Sequence, residues 1–429
     1  MESLTPAGKA INSTALSDSN SSGRVDTRRT RRRWVVALLW LGAAISMVCF
    51  ALFMDFACDC RDYLATLRGH SGLAYSPLFL IPTVKIARLF PLGFIIVIYG
   101  LAYLSGWLTQ LWAGMQCADK EERRILHYVA PALAFFPGLL ISDVFAAGNL
   151  AYVLYGLVLA AAVAGWRRNR WRWFYLAVLA AACVKILFLF MLAIPLLCGR
   201  RQWGRVMVLV ASGVALYGAQ AIIWPRQFQM YLLSLKTMSD SNRDFGCTPV
   251  GNLARVLHNM GMGHQLPCVI FYLLFASTLF GILLWLSSLY HAGRIRLENW
   301  IPVMLMGVVL LNPRVQAYDV AAITLPMALL VLRMFRGGND GRLGKPLLWT
   351  LGVGWLAINL LQELNEDVFH VLPESWKYVE MLLMLGIFVG GVRMLLAEAA
   401  LTVPARARHE MPHSSRPYAI TAKLEVDPS

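Results

Sequence analysis

The run Trp34–Met54 carries no charge and follows directly on Arg28, Arg29, Arg31, Arg32 and Arg33. About 20 uncharged residues are enough for one helix to cross the hydrocarbon core of a bilayer. Runs of the same kind recur along the chain: 58 % of its 429 residues are apolar and 15 % are charged. A soluble domain carries about 25 % charged residues. This balance excludes a disordered chain, a coiled coil and a water-soluble enzyme. It requires a solvent that accepts apolar surface on all sides. Lipid supplies no hydrogen bonds, so spanning backbone must satisfy itself. A membrane barrel would read as alternating segments of about ten residues, whereas these runs are continuous. The sequence therefore predicts an all-α polytopic membrane protein.

The formal net charge is +15. In a soluble chain such an excess would suggest nucleic acid as a partner. Here the basic residues form short clusters between apolar runs, as in cytoplasmic loops, so no nucleic acid is expected. The clusters are Lys120/Arg123/Arg124, Arg167/Arg168/Arg170/Arg172, Arg200/Arg201/Arg205, Arg294/Arg296 and Arg333/Arg336/Arg342/Lys345. Setting them on one side predicts spans near 34–54, 92–114, 128–141, 149–165, 206–224, 268–290, 300–312, 317–333, 346–361 and 377–397. Residues 1–33 read as a disordered basic cytoplasmic tail, 34–398 as the transmembrane domain, and 399–429 as a second cytoplasmic tail. The first run is longer than the apolar core of a signal peptide, and Asp55-Phe56-Ala57 follows it, so it reads as an uncleaved anchor. Trp173–Cys198 is only one span long yet has basic residues on both flanks. Either one flank breaks the sidedness rule or the segment is a hairpin with Lys185 at its tip. The hairpin reading sets both termini in the cytoplasm, with about 10–12 transmembrane helices in all.

The opposite face collects residues 55–91, 225–267 and shorter turns. Pro77–Arg88 mixes apolar and basic residues at roughly helical spacing. It is either an amphipathic helix at the interface or a loop helix packed on the bundle. Carboxylates are scarce, 24 in all, yet Asp55, Asp59 and Asp62 crowd behind the first span. Charges at a membrane boundary are costly unless hydrated or paired, which makes them functional candidates. If the first helix continues, Asp59 and Tyr63, four residues apart, share one face. Lys85, Lys185, Arg226, Lys236, Arg243 and Arg314 are candidate anion binders on this face. Arg314, in the break Asn312-Pro313-Arg314, either grips a phosphate or carboxylate or ties to Asp319. Asn149 either caps a helix or lines a site.

No phosphate-binding glycine loop or dinucleotide fingerprint is present, which argues against a nucleotide-driven pump. The eight histidines show no zinc spacing. Cys58 and Cys60 in the first loop could bridge to Cys247 or Cys268 in an oxidising compartment, with connectivity open.

These residues together resemble the bacterial GT-C glycosyltransferases, closest to glycosyltransferase family 87, the polyprenyl-phosphate-mannose-dependent mannosyltransferases. The likeness lies in Asp59-x-x-x-Tyr63 followed by Gly69 and Tyr75-Ser76-Pro77, and in Gly148-Asn149 opening an apolar helix. Val184-Lys185-Ile186 running to Arg200-Arg201-Gln202-Trp203, and Asn312-Pro313-Arg314 with Tyr318, continue it. Ile186 stands where the family often has Pro, and Gln316 and Tyr318 where it has Trp and His. The resemblance implies a GT-C-like fold in the bacterial inner membrane, with the active site on the periplasmic face beside an interfacial helix in the first loop. It implies transfer of a hexose, mannose or else arabinofuranose as the sugar, from a polyprenyl-phosphate donor to a lipid or glycan acceptor with inversion. Asp59, or alternatively Asp62, would be the general base. Lys185 and Arg314 would hold the donor phosphate, and Tyr63, Tyr75, Asn149 and Tyr318 would bind substrate. No cofactor or metal is expected. A secondary transporter is the rival reading, because transporters also bury charges at broken helices.

Overall fold

The structure is a computed structural model. It describes residues 30, 33–45, 75–135, 149–199, 202–240, 246, 248–263, 265–337 and 376–409. Among the described residues all regular elements are helices and there is no strand. Helix α1 is Arg33–Ile45. It is followed by α2 Pro77–Ala87, α3 Leu92–Gln116, α4 Lys120–Phe135, α5 Ala151–Arg168 and α6 Arg172–Val184. A 3₁₀ segment Ile186–Leu192 leads into α7 Ala193–Cys198. Then come α8 Trp203–Ile223, α9 Pro225–Asp240, α10 Pro249–Asn259, α11 Gln265–His291, α12 Leu297–Leu310, α13 Ala317–Gly337 and α14 Trp376–His409.

Four segments are long and apolar enough to cross a membrane: α3, α8, α11 and Met381–Leu401 within α14. Their outward faces are apolar, as lipid requires: Leu101 is 53 % exposed, Val208 65 % and Leu274 65 %. Helices α5 and α12 are also largely apolar but are enclosed by the others. Trp300 through Leu310 of α12 are all buried. Helix α5 packs on α3, α6 and α13, and α12 packs on α11, α13, α14 and α7. The expected span 128–141 falls on α4, which begins earlier, at Lys120; the expected span 346–361 lies outside the described residues.

Small residues set the closest crossing. A Cβ on Gly106 of α3 would stand 2.8 Å from the Val153 Cα, and one on Gly156 of α5 would stand 2.7 Å from the Gly106 carbonyl oxygen. Backbones approach this closely only through glycine, the usual device of helix pairs in lipid. The amide of Gln110, buried in the same interface, donates to the Tyr152 carbonyl at 2.7 Å.

The hairpin expected around Lys185 is present. Helix α6 is 13 residues long, about 20 Å at 1.5 Å per residue. The chain turns at Lys185, whose backbone is extended, and returns through the 3₁₀ segment and α7. The two ends of the loop meet: a Cβ on Gly199 would stand 2.9 Å from the Trp171 indole nitrogen. Lys185 therefore sits about 20 Å deep from the end where the loop begins and finishes.

That end of the bundle is the basic one. Lys120, Arg123, Arg167, Arg294, Arg296, Arg333 and Arg336 come from four separate clusters in the sequence, and all line one cavity there. The α3–α4 turn is built around Asp119. Its Oδ1 accepts from the backbone N–H groups of Glu121 and Glu122 at 2.9 and 2.7 Å, and Glu122 Oε2 accepts from the Asp119 N–H at 2.9 Å. This reciprocal cap fixes the Glu122 carboxylate, which is 1 % exposed. Arg333 of α13 grips it as a fork, Nε to Oε1 at 2.8 Å and a terminal nitrogen to Oε2 at 2.7 Å. The same guanidinium donates to the Cys117 carbonyl at 2.8 Å and to the Glu298 carbonyl. One ion pair thus joins α4 to α13 and draws in the ends of α3 and α12. Nearby, Glu398 of α14 accepts from Arg296 Nε at 2.9 Å and from Asn299 at 2.7 Å.

Candidate functional site

The far end of the bundle gathers polar groups from five places in the chain. The start of α2 is pinned to two other helices: Ser76 Oγ donates to the Cys183 backbone carbonyl of α6, and the Leu78 N–H donates to Gln220 Oε1 of α8 at 3.0 Å. This docks Tyr75, 5 % exposed, against the end of α6. The Lys185 ammonium lies 5.3 Å from the centre of the Tyr75 ring, within range of a cation–π attraction.

Lys185 also donates to Asn149 Oδ1 at 2.8 Å. The same oxygen accepts the Ala151 N–H at 2.9 Å, one of the donors that the first turn of α5 leaves without a helical partner. Asn149 therefore does both things that the sequence leaves open: it caps α5 and it lines the site. Tyr155, one turn further along α5 and 1 % exposed, hydrogen-bonds the Asp319 carboxylate through its hydroxyl.

The break between α12 and α13 supplies Asp319. Residues 311–316 leave the helix, as Asn312-Pro313 suggests. The exposed carbonyls are taken up by neighbours: Tyr272 of α11 donates to Leu311 at 2.9 Å, and Thr248, the cap of α10, donates to Pro313 at 2.8 Å. Gly246, at φ +71°, lies so close that a Cβ there would collide with the Val315 carbonyl oxygen. Within the break, Asn312 Oδ1 accepts from the Arg314 N–H at 3.0 Å, and Asp319 Oδ2 accepts from the Gln316 N–H at 2.8 Å. Asp319 is 4 % exposed, and Lys185 and Arg314 both act on it electrostatically.

The structure thus brings together Tyr75, Asn149, Lys185 and Arg314 of the residues expected from sequence. Tyr318 lies in the first turn of α13, next to Asp319. Asp59, Asp62 and Tyr63, with Cys58, Cys60 and Cys247, lie outside the described residues. Cys268 is a free, buried thiol. Residues 77–87 do form a helix, but its basic and apolar groups do not segregate: Lys85, Ile86 and Arg88 are all exposed. Sequence reasoning weighs Asp319 only as a tie for Arg314 and passes over Tyr155. Tyr155 gives no signal in an apolar run, whereas a carboxylate at the third residue of a predicted span does.

Chemically this is a half-buried ammonium and guanidinium beside a buried carboxylate, amide and phenol. An ammonium fixed by an amide oxygen and a ring face suits the binding of an anionic group brought to membrane depth. No protein-family model, curated protein or solved structure matches the chain.

Proposed function

We propose that the protein is a membrane glycosyltransferase. It moves a hexose, mannose in the first instance, from a polyprenyl-phosphate donor to a lipid or glycan acceptor on the non-cytoplasmic face. The observation that carries this reading is Lys185 at the tip of the hairpin, held by Asn149 and Tyr75 and far from the basic clusters, which would face the cytoplasm. The leaving group of the reaction is a phosphate ester. It needs positive charge and no protonation, which Lys185 and Arg314 supply. Asp59, with Asp62 as the alternative, takes the proton from the acceptor hydroxyl as that oxygen attacks the anomeric carbon. Tyr63, Tyr75, Asn149 and Tyr318 bind substrate, and the Pro77–Arg88 stretch lines the access path of the lipid chain. The multi-pass protein would lie in the bacterial inner membrane with both termini inside.

The test uses membranes containing the protein, a labelled polyprenyl-phosphate sugar and an acceptor lipid. Asp59→Asn is expected to abolish transfer at unchanged expression, and Lys185→Ala to weaken dependence on donor more than on acceptor. Unchanged donor dependence in Lys185→Ala would overturn the assignment. The broken helix at Lys185 also suits a secondary transporter. Solute counterflow in proteoliposomes with no sugar transfer would favour that reading.

A further inference from the structure

The cavity at the basic end has no part in the transfer reaction, yet it has the form of a ligand site. It measures about 1810 Å³, above the roughly 300–1,000 Å³ typical of small-molecule pockets. Its two walls differ in chemistry. One is a face of α14, on which Leu382, Leu385 and Val389 recur at helical spacing. Leu382 and Val389 remain 60 % and 53 % exposed. The other wall is the rim built by the α3–α4 and α11–α12 turns with the ends of α5 and α13. Eight basic side chains and four carboxylates line the cavity. Two of the carboxylates, Glu122 and Glu398, are bonded to Arg333 and Arg296. The lining keeps a formal excess of four positive charges, 8 − 4.

An apolar strip that ends in a cationic rim matches an amphiphile with an anionic head. From Leu382 to Arg393 the strip runs about 16 Å along the helix axis, long enough to hold part of an acyl tail with its head at the rim. Basic pockets between transmembrane helices bind phosphate-bearing lipid head groups in this way. From this two-sided lining we infer that the cavity binds an anionic membrane phospholipid, its phosphate among Arg167, Arg294 and Arg393 and its tail along α14. The lipid would bridge α14 to the turns at the ends of α3 and α11, a tie between the last helix and the rest of the bundle.

The test uses the full-length protein purified in a neutral detergent. Dioleoyl phosphatidylglycerol is titrated against dioleoyl phosphatidylcholine, which has the same tails, and binding is read from native mass spectra and from the rise in unfolding temperature. Wild type is expected to prefer the anionic lipid at least about 25-fold. In Arg294→Gln/Arg393→Gln that preference should fall about 25-fold, at about fivefold per charge. Arg168→Gln/Arg205→Gln removes two charges from the same end but outside the lining and should keep it. Both sites of the first pair are exposed, and an unchanged unfolding temperature without added lipid verifies that the variant is folded. If it is not, Arg294→Lys/Arg393→Lys, which keeps the charge, must retain the preference. Equal affinity for the two lipids, or equal losses in the two double Gln variants, would overturn the inference. So would competition by free glycerol phosphate at the concentration of the lipid, which would mark a site for soluble phosphate esters.

Discussion

The two ends of the bundle both hold charge away from water, and they hold it differently. At the basic end, Arg333 and Glu122 face each other as fork and carboxylate, each charge met by its opposite. At the far end, Lys185 is positioned by an amide oxygen and the face of a ring. Asp319 is positioned by a backbone N–H and a phenol. A fork closed on a carboxylate joins helices. At the far end, amide, ring and phenol contacts orient charged groups that sit in one cluster, where Lys185 and Arg314 act on Asp319 electrostatically. Under the proposed function the basic end carries stability and the far end carries chemistry, and substitutions at the two ends should separate these properties.

The largest effect is expected from Glu122→Ala. It strands the Arg333 guanidinium in a site where that residue is 9 % exposed. Breaking a buried pair from one side costs about 3–5 kcal/mol, to be read as lost unfolding free energy in detergent. Glu122→Leu/Arg333→Met should recover most of the loss, because apolar groups of similar volume replace buried ion pairs at little cost. A loss under about 1 kcal/mol in the single variant would remove the contrast.

Lys185→Ala comes next, now in rate. Transfer should fall about a hundredfold, or about 2.7 kcal/mol, measured as initial rate at saturating acceptor. Unfolding free energy should fall by about 1.5–3 kcal/mol, the range for a hydrogen bond to a charged group. A variant as unstable as Glu122→Ala with full activity would exchange the roles of the two ends.

Asn149→Ala should cost about 1 kcal/mol of stability through the lost cap. Because the same oxygen holds Lys185, the variant should also raise the donor KM, and a capping effect alone would leave KM unchanged. Serine at this position should restore the cap and not the reach to Lys185. The smallest effect is expected from Arg296→Gln. Its side chain is 77 % exposed, and exposed ion pairs contribute about 0–1 kcal/mol. Thermal unfolding should barely move, because Asn299 also holds Glu398.

The sequence makes some of this legible and hides the rest for physical reasons. The hairpin can be read because basic residues flank both sides of a stretch only one span long. The break at Asn312-Pro313 can be read from the lost N–H of proline and the polar residues beside it. Helices α11 and α12 cannot be told apart in the same way. Both are apolar all round, because a helix facing lipid and a helix facing other helices need the same side chains, so no polar stripe marks which is buried. The pairing of Glu122 with Arg333 spans 211 residues and has no local signature. Tyr155 is hidden too, since its phenol function emerges only when the Asp319 turn folds over it. The expected base, Asp59, rests on its pattern in the sequence alone.

The hairpin also bears on how the chain enters the bilayer. Helix α6 has 13 residues and its returning arm breaks into a 3₁₀ segment of 7 and a helix of 6. Neither arm reaches the ~20 residues that a translocon releases sideways as a self-sufficient span. Lys185 at the turn adds a charge that lipid alone would reject. The two arms are therefore expected to partition as one unit, and the contact that holds their turn comes from Asn149, which precedes them in the chain.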